Sequence, residues 1–209
     1  MDKKKKRLSY MVATAAALGA AAAVFLLGPN DEGEPEKDYF EIQYPTQNYN
    51  RELTNELRGI VLHHTALPTI ERSLAVLTLP RNIVSTHCVV DTNGMRYVLC
   101  PPTTVAYHAG KSILNGREKC NEFTLGVEFQ GNTQERPLTE HQIKSAVQYL
   151  VPIMRTYHIS PDSVVTHAMV RDNYMKAYPE RNTKDKVDIT PTEYSRVMTA
   201  LRAALEEER

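Results

Sequence analysis

Apolar positions along this chain follow two rhythms. The first is a set of short, dense runs: Gly59-Ile60-Val61-Leu62-His63, Cys88-Val89-Val90, Arg96-Tyr97-Val98-Leu99, residues 124–129 and Val164-Val165-Thr166-His167. Each is too short for a globular helix and rich in β-branched residues, so it predicts a strand, in several cases one buried on both faces. The second and third runs flank Asp91-Thr92-Asn93-Gly94, a turn sequence, so residues 85–100 read as a hairpin. The second rhythm is helical. Ile143, Ala146, Val147, Leu150, Ile153 and Met154 recur at helical spacing behind Thr139-Glu140-His141-Gln142. That tetrad is a capping box, and the helix it opens is predicted to run to about residue 157. Thr190-Pro191-Thr192-Glu193 is a second capping box with proline at the first helical position, predicting a C-terminal helix through about residue 207. The fold class expected is α/β: a single domain with a central mixed, mostly buried β-sheet flanked by helices.

The N-terminal stretch has a different pattern. Lys3, Lys4, Lys5, Lys6 and Arg7 form a basic block, and residues 8–27 then carry no charge. Twenty such residues as a helix span about 30 Å, the thickness of a bilayer core. The block of cations holds the N-terminus on the cytoplasmic side. Residues 1–27 are therefore expected to be a membrane anchor or signal segment, with the domain outside the cytoplasm. The most apolar part, Val24-Phe25-Leu26-Leu27, comes last, where a cleavage site would need small residues. This favours an inner-membrane anchor with the domain on the periplasmic side over secretion after cleavage. Residues 28–41 are acidic, contain Pro29, Gly33 and Pro35, and lack apolar periodicity, which predicts a polar linker. The domain is expected over residues 42–209.

Charge adds one exclusion. Six of the 25 basic and seven of the 25 acidic side chains fall in residues 1–41, leaving 19 and 18 beyond. A domain this close to neutral has no nucleic-acid signature. The three cysteines, Cys88, Cys100 and Cys120, leave at least one free thiol. In an exported domain Cys100 with Cys120 is the expected pair, and Cys88 is expected to be a small buried hydrophobe.

The chemistry-bearing residues sit at the ends of the apolar runs. His63 and His167 each close a short strand, where an imidazole is held rigidly enough to bind a metal. His64 alternates to the opposite face if the strand continues. Taken alone, a strand-end histidine is more often a packed core residue, and only the fold can bring His63 and His167 together. Glu128 lies inside a buried strand, where a carboxylate is costly unless paired or kept for its chemistry. Gly126, two residues before it, marks a close approach by a ligand or another backbone. Lys186-Val187-Asp188 places a cation and a carboxylate on one face of an extended segment.

Further motifs join these. Val84-Ser85-Thr86-His87, Asp91-Thr92-Asn93-Gly94, His108-Ala109-Gly110-Lys111-Ser112 and Asn115-Gly116-Arg117-Glu118-Lys119-Cys120-Asn121-Glu122-Phe123-Thr124-Leu125-Gly126-Val127-Glu128 follow one another in order. Over roughly residues 55–190 the chain resembles the zinc-dependent N-acetylmuramoyl-L-alanine amidases of type 2, the AmpD-like and peptidoglycan-recognition-protein family. The resemblance implies that fold, zinc as cofactor, and peptidoglycan or muropeptides as substrate. It implies His63, His167 and Asp188 as metal ligands, Glu128 as the proton-transfer carboxylate and Lys186 as the cation that stabilises the oxyanion. His64, His108 and Arg117 are the substrate-binding candidates. The activity implied is hydrolysis of the amide between N-acetylmuramic acid and L-alanine. The alternatives are a peptidoglycan-binding module of the same fold without catalysis, and a phage-type lysis amidase on a weak membrane anchor. A general zinc peptidase is disfavoured, because H-E-x-x-H is absent.

Two departures bear on the third ligand. The family follows K-x-D with Pro-Gly, whereas Ile189-Thr190 stand here, and His167 is 21 residues from Asp188, about twice the family gap. Residues 171–185 therefore hold an insertion, expected to loop out. Asp172 and Asp185 compete with Asp188, which is preferred because only it has a lysine two residues ahead.

Overall fold

The sheet begins where the acidic stretch ends. In a computed structural model, which describes residues 39–181 and 188–207, the order of elements is β1 (Glu41–Gln43), β2 (Tyr49–Thr54), β3 (Gly59–His64), α1 (Ile70–Thr78), β4 (Cys88–Val90), β5 (Arg96–Val98), β6 (Thr104–Ala106), β7 (Ile113–Leu114), β8 (Arg117–Glu118), β9 (Thr124–Phe129), α2 (Glu140–Thr156), β10 (Val164–Thr166), α3 (His167–Ala177) and α4 (Pro191–Glu207). The expected anchor of residues 1–27, most of the expected linker, Asp185 and Lys186 lie outside the described residues. Among the described residues no helix is long and apolar enough to cross a membrane.

Six strands form the central sheet in the order β1-β5-β4-β9-β3-β10, and two small two-stranded sheets, β2-β6 and β7-β8, stand beside it. β4 and β5 are antiparallel, the hairpin expected around Gly94, whose φ of +85° suits glycine. The other pairings in the central sheet are parallel. The carboxyl ends of β3, β9 and β10 therefore emerge along one edge.

Alternation along the strands separates two faces. Ile60, Leu62, Leu125, Val127, Phe129, Cys88, Val90 and Val164 turn to one side and pack against Ile143, Ala146, Val147 and Leu150 of α2 and Val197 and Leu201 of α4. Val61 and Val165 turn to the other side, where Ala109, Leu114, Cys120, Phe123 and Val170 cover them. Because both faces are covered, β3 and β9 are apolar in continuous runs rather than in alternation.

The two capping boxes differ. At α2, Thr139 accepts from the Gln142 amide while the Gln142 side chain reaches back to Thr139 N, as expected. At α4, Thr190 Oγ1 accepts from Glu193 N (3.3 Å), but the Glu193 carboxylate turns away. It accepts from Leu138 N (2.9 Å) and from Arg196 (2.6 Å), joining the start of α4 to the entry of α2. A tertiary partner displaces the local one.

Three other expectations change. The folded unit starts upstream of residue 42: Tyr39 is buried against Gly94, hydrogen-bonds His141 and gives its carbonyl to Arg96. The cysteines are all free and buried. Cys100 donates to the Thr86 carbonyl, while Cys120 packs in the separate Val61 cluster, so the expected Cys100–Cys120 pair is not formed. The insertion after His167 is not a loop over its first half but the helix α3. Val170 and Tyr174 are buried, and Asn173 and Tyr178 hydrogen-bond Ile113 O and Glu118 of the β7–β8 hairpin.

Candidate metal centre and active site

Three parallel strands deliver the site. β10 pairs with β3 so that Val165 opposes Val61 and Thr166 opposes Leu62. Continuing that register by one residue brings His167 level with His63, on the same face. Thr166 caps α3 by accepting from Met169 N (3.2 Å), so His167 opens a helix directly from a strand end. Asp188 arrives from just before α4. Its Oδ1 accepts from His64 N (3.1 Å) and Ile189 N (2.9 Å), which leaves Oδ2 facing the two imidazoles.

The donors converge. His63 Nδ1 and His167 Nδ1 are 3.2 Å apart, and each is 3.5 Å from Asp188 Oδ2. Donors held at the usual zinc–nitrogen and zinc–oxygen lengths across a tetrahedral angle lie about 3.4 Å apart. All three residues are buried, and among the described residues they are the one His/Cys/Asp/Glu group that meets the geometry for holding a metal ion. The donor set of two imidazoles and one carboxylate fits zinc with one position left open. Burial alone would raise the Asp188 carboxyl, but the imidazoles of His63 and His167 and the Ile189 N–H bring it below the ordinary carboxylate value. Asp172, the rival ligand, is instead exposed on α3 and paired with Arg171 (3.0 Å). Asp185 and Lys186 lie outside the described residues.

Glu128 opposes His63 directly across the β3–β9 pairing and Val89 across β4–β9. In-register partners on neighbouring parallel strands share a face and lie about 5 Å apart along the hydrogen-bonding direction. The half-buried Glu128 thus stands on the same face of the sheet as His63.

The three substrate-binding candidates take different places. His64 turns to the other face and is buried, its Nδ1 accepting from Thr133 N (3.0 Å) with Thr133 Oγ1 at 2.8 Å. His64 thus ties the end of β3 to the loop after β9. Arg117 pairs with Glu56 (2.8 Å) and lies over the Phe123 ring (4.4 Å), on the outside of the β7–β8 hairpin. His108 is buried beside His63 rather than open to solvent, with its Nδ1 3.2 Å from His63 Nε2.

Sequence reasoning did not anticipate a histidine cluster. Four of the seven histidines meet edge to edge, with ring centroids 4.9 Å apart for His63–His167, 5.3 Å for His63–His108 and 5.7 Å for His87–His108. His87 is fully buried; its Nδ1 accepts from Gly126 N (2.9 Å) and its Nε2 donates to Thr104 O (2.9 Å). Burial pulls the His87 imidazole down to about 4, with the Thr104 carbonyl acting the other way. Burial, then the neighbouring His63, His87 and His167, also hold His108 well below the ordinary imidazole value. The one signal in the sequence was Gly126. A Cβ there would lie 2.6 Å from His108 Cγ and 2.9 Å from Thr86 Oγ1, so the close approach is by an imidazole rather than by a backbone or ligand.

Strand-end His63 and His167 with Asp188, and Glu128 on the neighbouring strand, form a candidate metal centre on an α/β fold. The chain belongs to the N-acetylmuramoyl-L-alanine amidase family, whose model matches residues 53–186. It is 39% identical over 85 residues to the 1,6-anhydro-N-acetylmuramyl-L-alanine amidase AmpD of Haemophilus influenzae, covering 40% of this chain and 46% of that protein. It is 29% identical to the N-acetylmuramoyl-L-alanine amidase AmiD of Escherichia coli, covering 71% of this chain and 58% of that protein. The chain thus spans about half the length of these relatives. Its fold is similar to that of a crystallised AmpD derivative, with a TM-score of 0.56 at 21% identity over 84% of this chain and 98% of the other.

Proposed function

We propose that this chain hydrolyses the amide bond between the lactyl group of N-acetylmuramic acid and L-alanine, in peptidoglycan or in muropeptides released from it. The observation that carries this is the triangle of His63 Nδ1, His167 Nδ1 and Asp188 Oδ2, with edges of 3.2, 3.5 and 3.5 Å, beside a carboxylate in register with His63. Those three donors would hold zinc, which when bound would supply a Lewis acid for the amide carbonyl and lower the pKa of water. Glu128 takes a proton from the attacking water and returns it to the leaving L-alanine nitrogen. Two N–H donors on Asp188 Oδ1 hold its carboxylate in place, so the geometry is set before substrate arrives. Lys186 is assigned the oxyanion by its position two residues before Asp188 in the sequence. The basic block followed by 20 uncharged residues supports a domain tethered to the inner membrane on its periplasmic side.

The test is mass spectrometry of products from intact peptidoglycan and from anhydro-muropeptides. The expected product is a stem peptide with a free L-alanine amine, formed by the wild type and lost on chelation. Glu128→Gln is expected to keep zinc while turnover falls by roughly a hundredfold or more. Absence of that peptide from both substrates, or turnover indifferent to chelator, would refute the activity. Near wild-type turnover in Glu128→Gln would make that residue structural.

A further inference from the structure

We propose that His108 is a positioning residue for the metal: it accepts a hydrogen bond from His63 Nε2–H and so fixes the tautomer and ring orientation that present His63 Nδ1 to the ion. The proposal rests on the zinc reading above and gives His108 a role other than contact with substrate.

The proton positions follow from groups whose roles are fixed. Thr124 Oγ1 donates its only proton to Cys120 O at 2.6 Å. Its remaining lone pairs, and the Thr124 carbonyl, can only accept. Both lie 3.4 Å from His108 Nε2, so the His108 proton sits on Nε2 and Nδ1 keeps a lone pair. That lone pair faces His63 Nε2 at 3.2 Å. A bare His63 Nε2 would set two lone pairs against each other, so the His63 proton sits on Nε2. His63 Nδ1 is then the nitrogen that gives its lone pair to a bound ion, and it is the atom 3.2 Å from His167 Nδ1 and 3.5 Å from Asp188 Oδ2. A line of defined donors and acceptors thus runs from a Cys120 carbonyl to a metal ligand.

The surroundings hold His108 in this pose. Its own N–H and that of Ala109 both donate to Asn121 Oδ1, at 3.1 and 2.7 Å. Its ring lies against β9 where Gly126 has no side chain, and an alanine Cβ there would be 2.8 Å from His108 Nδ1. The partner on the far nitrogen of a metal-binding imidazole sets which nitrogen binds and how basic it is, and removing such a partner costs roughly 10–100-fold in metal affinity.

The experiment uses the full chain. Zinc affinity is measured by chelator competition for the wild type, His108→Leu and His108→Asn, with thermal unfolding of each zinc-free protein alongside. Leucine fills the buried volume without an acceptor, and asparagine offers Oδ1 near the place of Nδ1. His108→Leu is expected to bind zinc roughly 10–100-fold more weakly, and His108→Asn to recover much of the loss. Long-range proton–nitrogen NMR on the zinc-loaded wild type supplies a readout independent of any variant's folding. It is expected to report His63 bound through Nδ1 with a proton on Nε2, and His108 protonated on Nε2. Wild-type affinity in His108→Leu, an equal loss in His108→Asn, or a His108 proton on Nδ1 would each overturn the proposal. A wild type without tight zinc binding would instead overturn the metal reading on which it rests.

Discussion

Acid should destabilise this domain through His87, and the structure sets the size. His87 bridges Gly126 N on β9 and Thr104 O while fully buried, and only the neutral ring can make both contacts. Its folded value is about 4 against an ordinary 6.5. The folded state therefore binds fewer protons at this site than the unfolded chain between those values, and stability falls as pH drops below 6.5 and levels off below 4. Linkage over a gap of about 2.5 units gives a loss of about 2 kcal/mol at pH 5 and about 3 kcal/mol at pH 4, relative to neutral pH. The assay is urea unfolding of the zinc-free protein, in chelator, at pH 7, 5 and 4, for wild type and His87→Asn. The variant should be less stable at pH 7 by about 1–3 kcal/mol, since a buried partner of Gly126 N or Thr104 O is lost. That deficit should shrink as pH falls, because the variant has no proton to take up. A deficit unchanged from pH 7 to pH 4 would show that His87 does not carry the acid sensitivity.

Two further outcomes are expected. Gly126→Ala puts a methyl 2.6 Å from His108 Cγ in a fully packed position; it should cost about 1–3 kcal/mol in denaturant unfolding and weaken zinc binding, and wild-type behaviour in both would mean the ring has room to move. Asp188→Ala should abolish zinc retention on dialysis while Asp172→Ala, an exposed residue paired with Arg171, should not; the reverse pattern would mean that the third ligand lies elsewhere.

The sequence by itself determined the local elements and the kind of chemistry. Dense β-branched runs at residues 59–63 and 124–129 could only be short buried strands, and Thr139 with Gln142 made a capping box that the structure keeps. These features depend on neighbours a few residues away, so they are legible in order along the chain. The same holds for Gly94 at its turn. His63, Glu128, His167 and Asp188 were readable as candidates because their residue types suit metal-assisted hydrolysis and their motifs resemble a family. Elements without such patterns went unread, among them α1, the β7–β8 hairpin and α3.

Only the tertiary structure decided what these residues face. Glu193 looked like half of a capping box, but a buried amide at Leu138 and the Arg196 guanidinium claimed its carboxylate. His63 and His64 are adjacent, yet strand alternation sends one to His167 and Asp188 and the other to Thr133. The parallel register of β10, β3 and β9 brings His167 and Glu128 to His63 from 104 and 65 residues away, a relation no local pattern encodes. His108 shows the division clearly. Its sequence neighbours mark it as part of a motif, but its place behind His63 depends on a missing side chain at Gly126 and on two oxygens of Thr124. The reason is physical: propensity and capping act within a few residues, whereas a metal site needs donors placed to within tenths of an ångström by strands that meet only after the chain has folded.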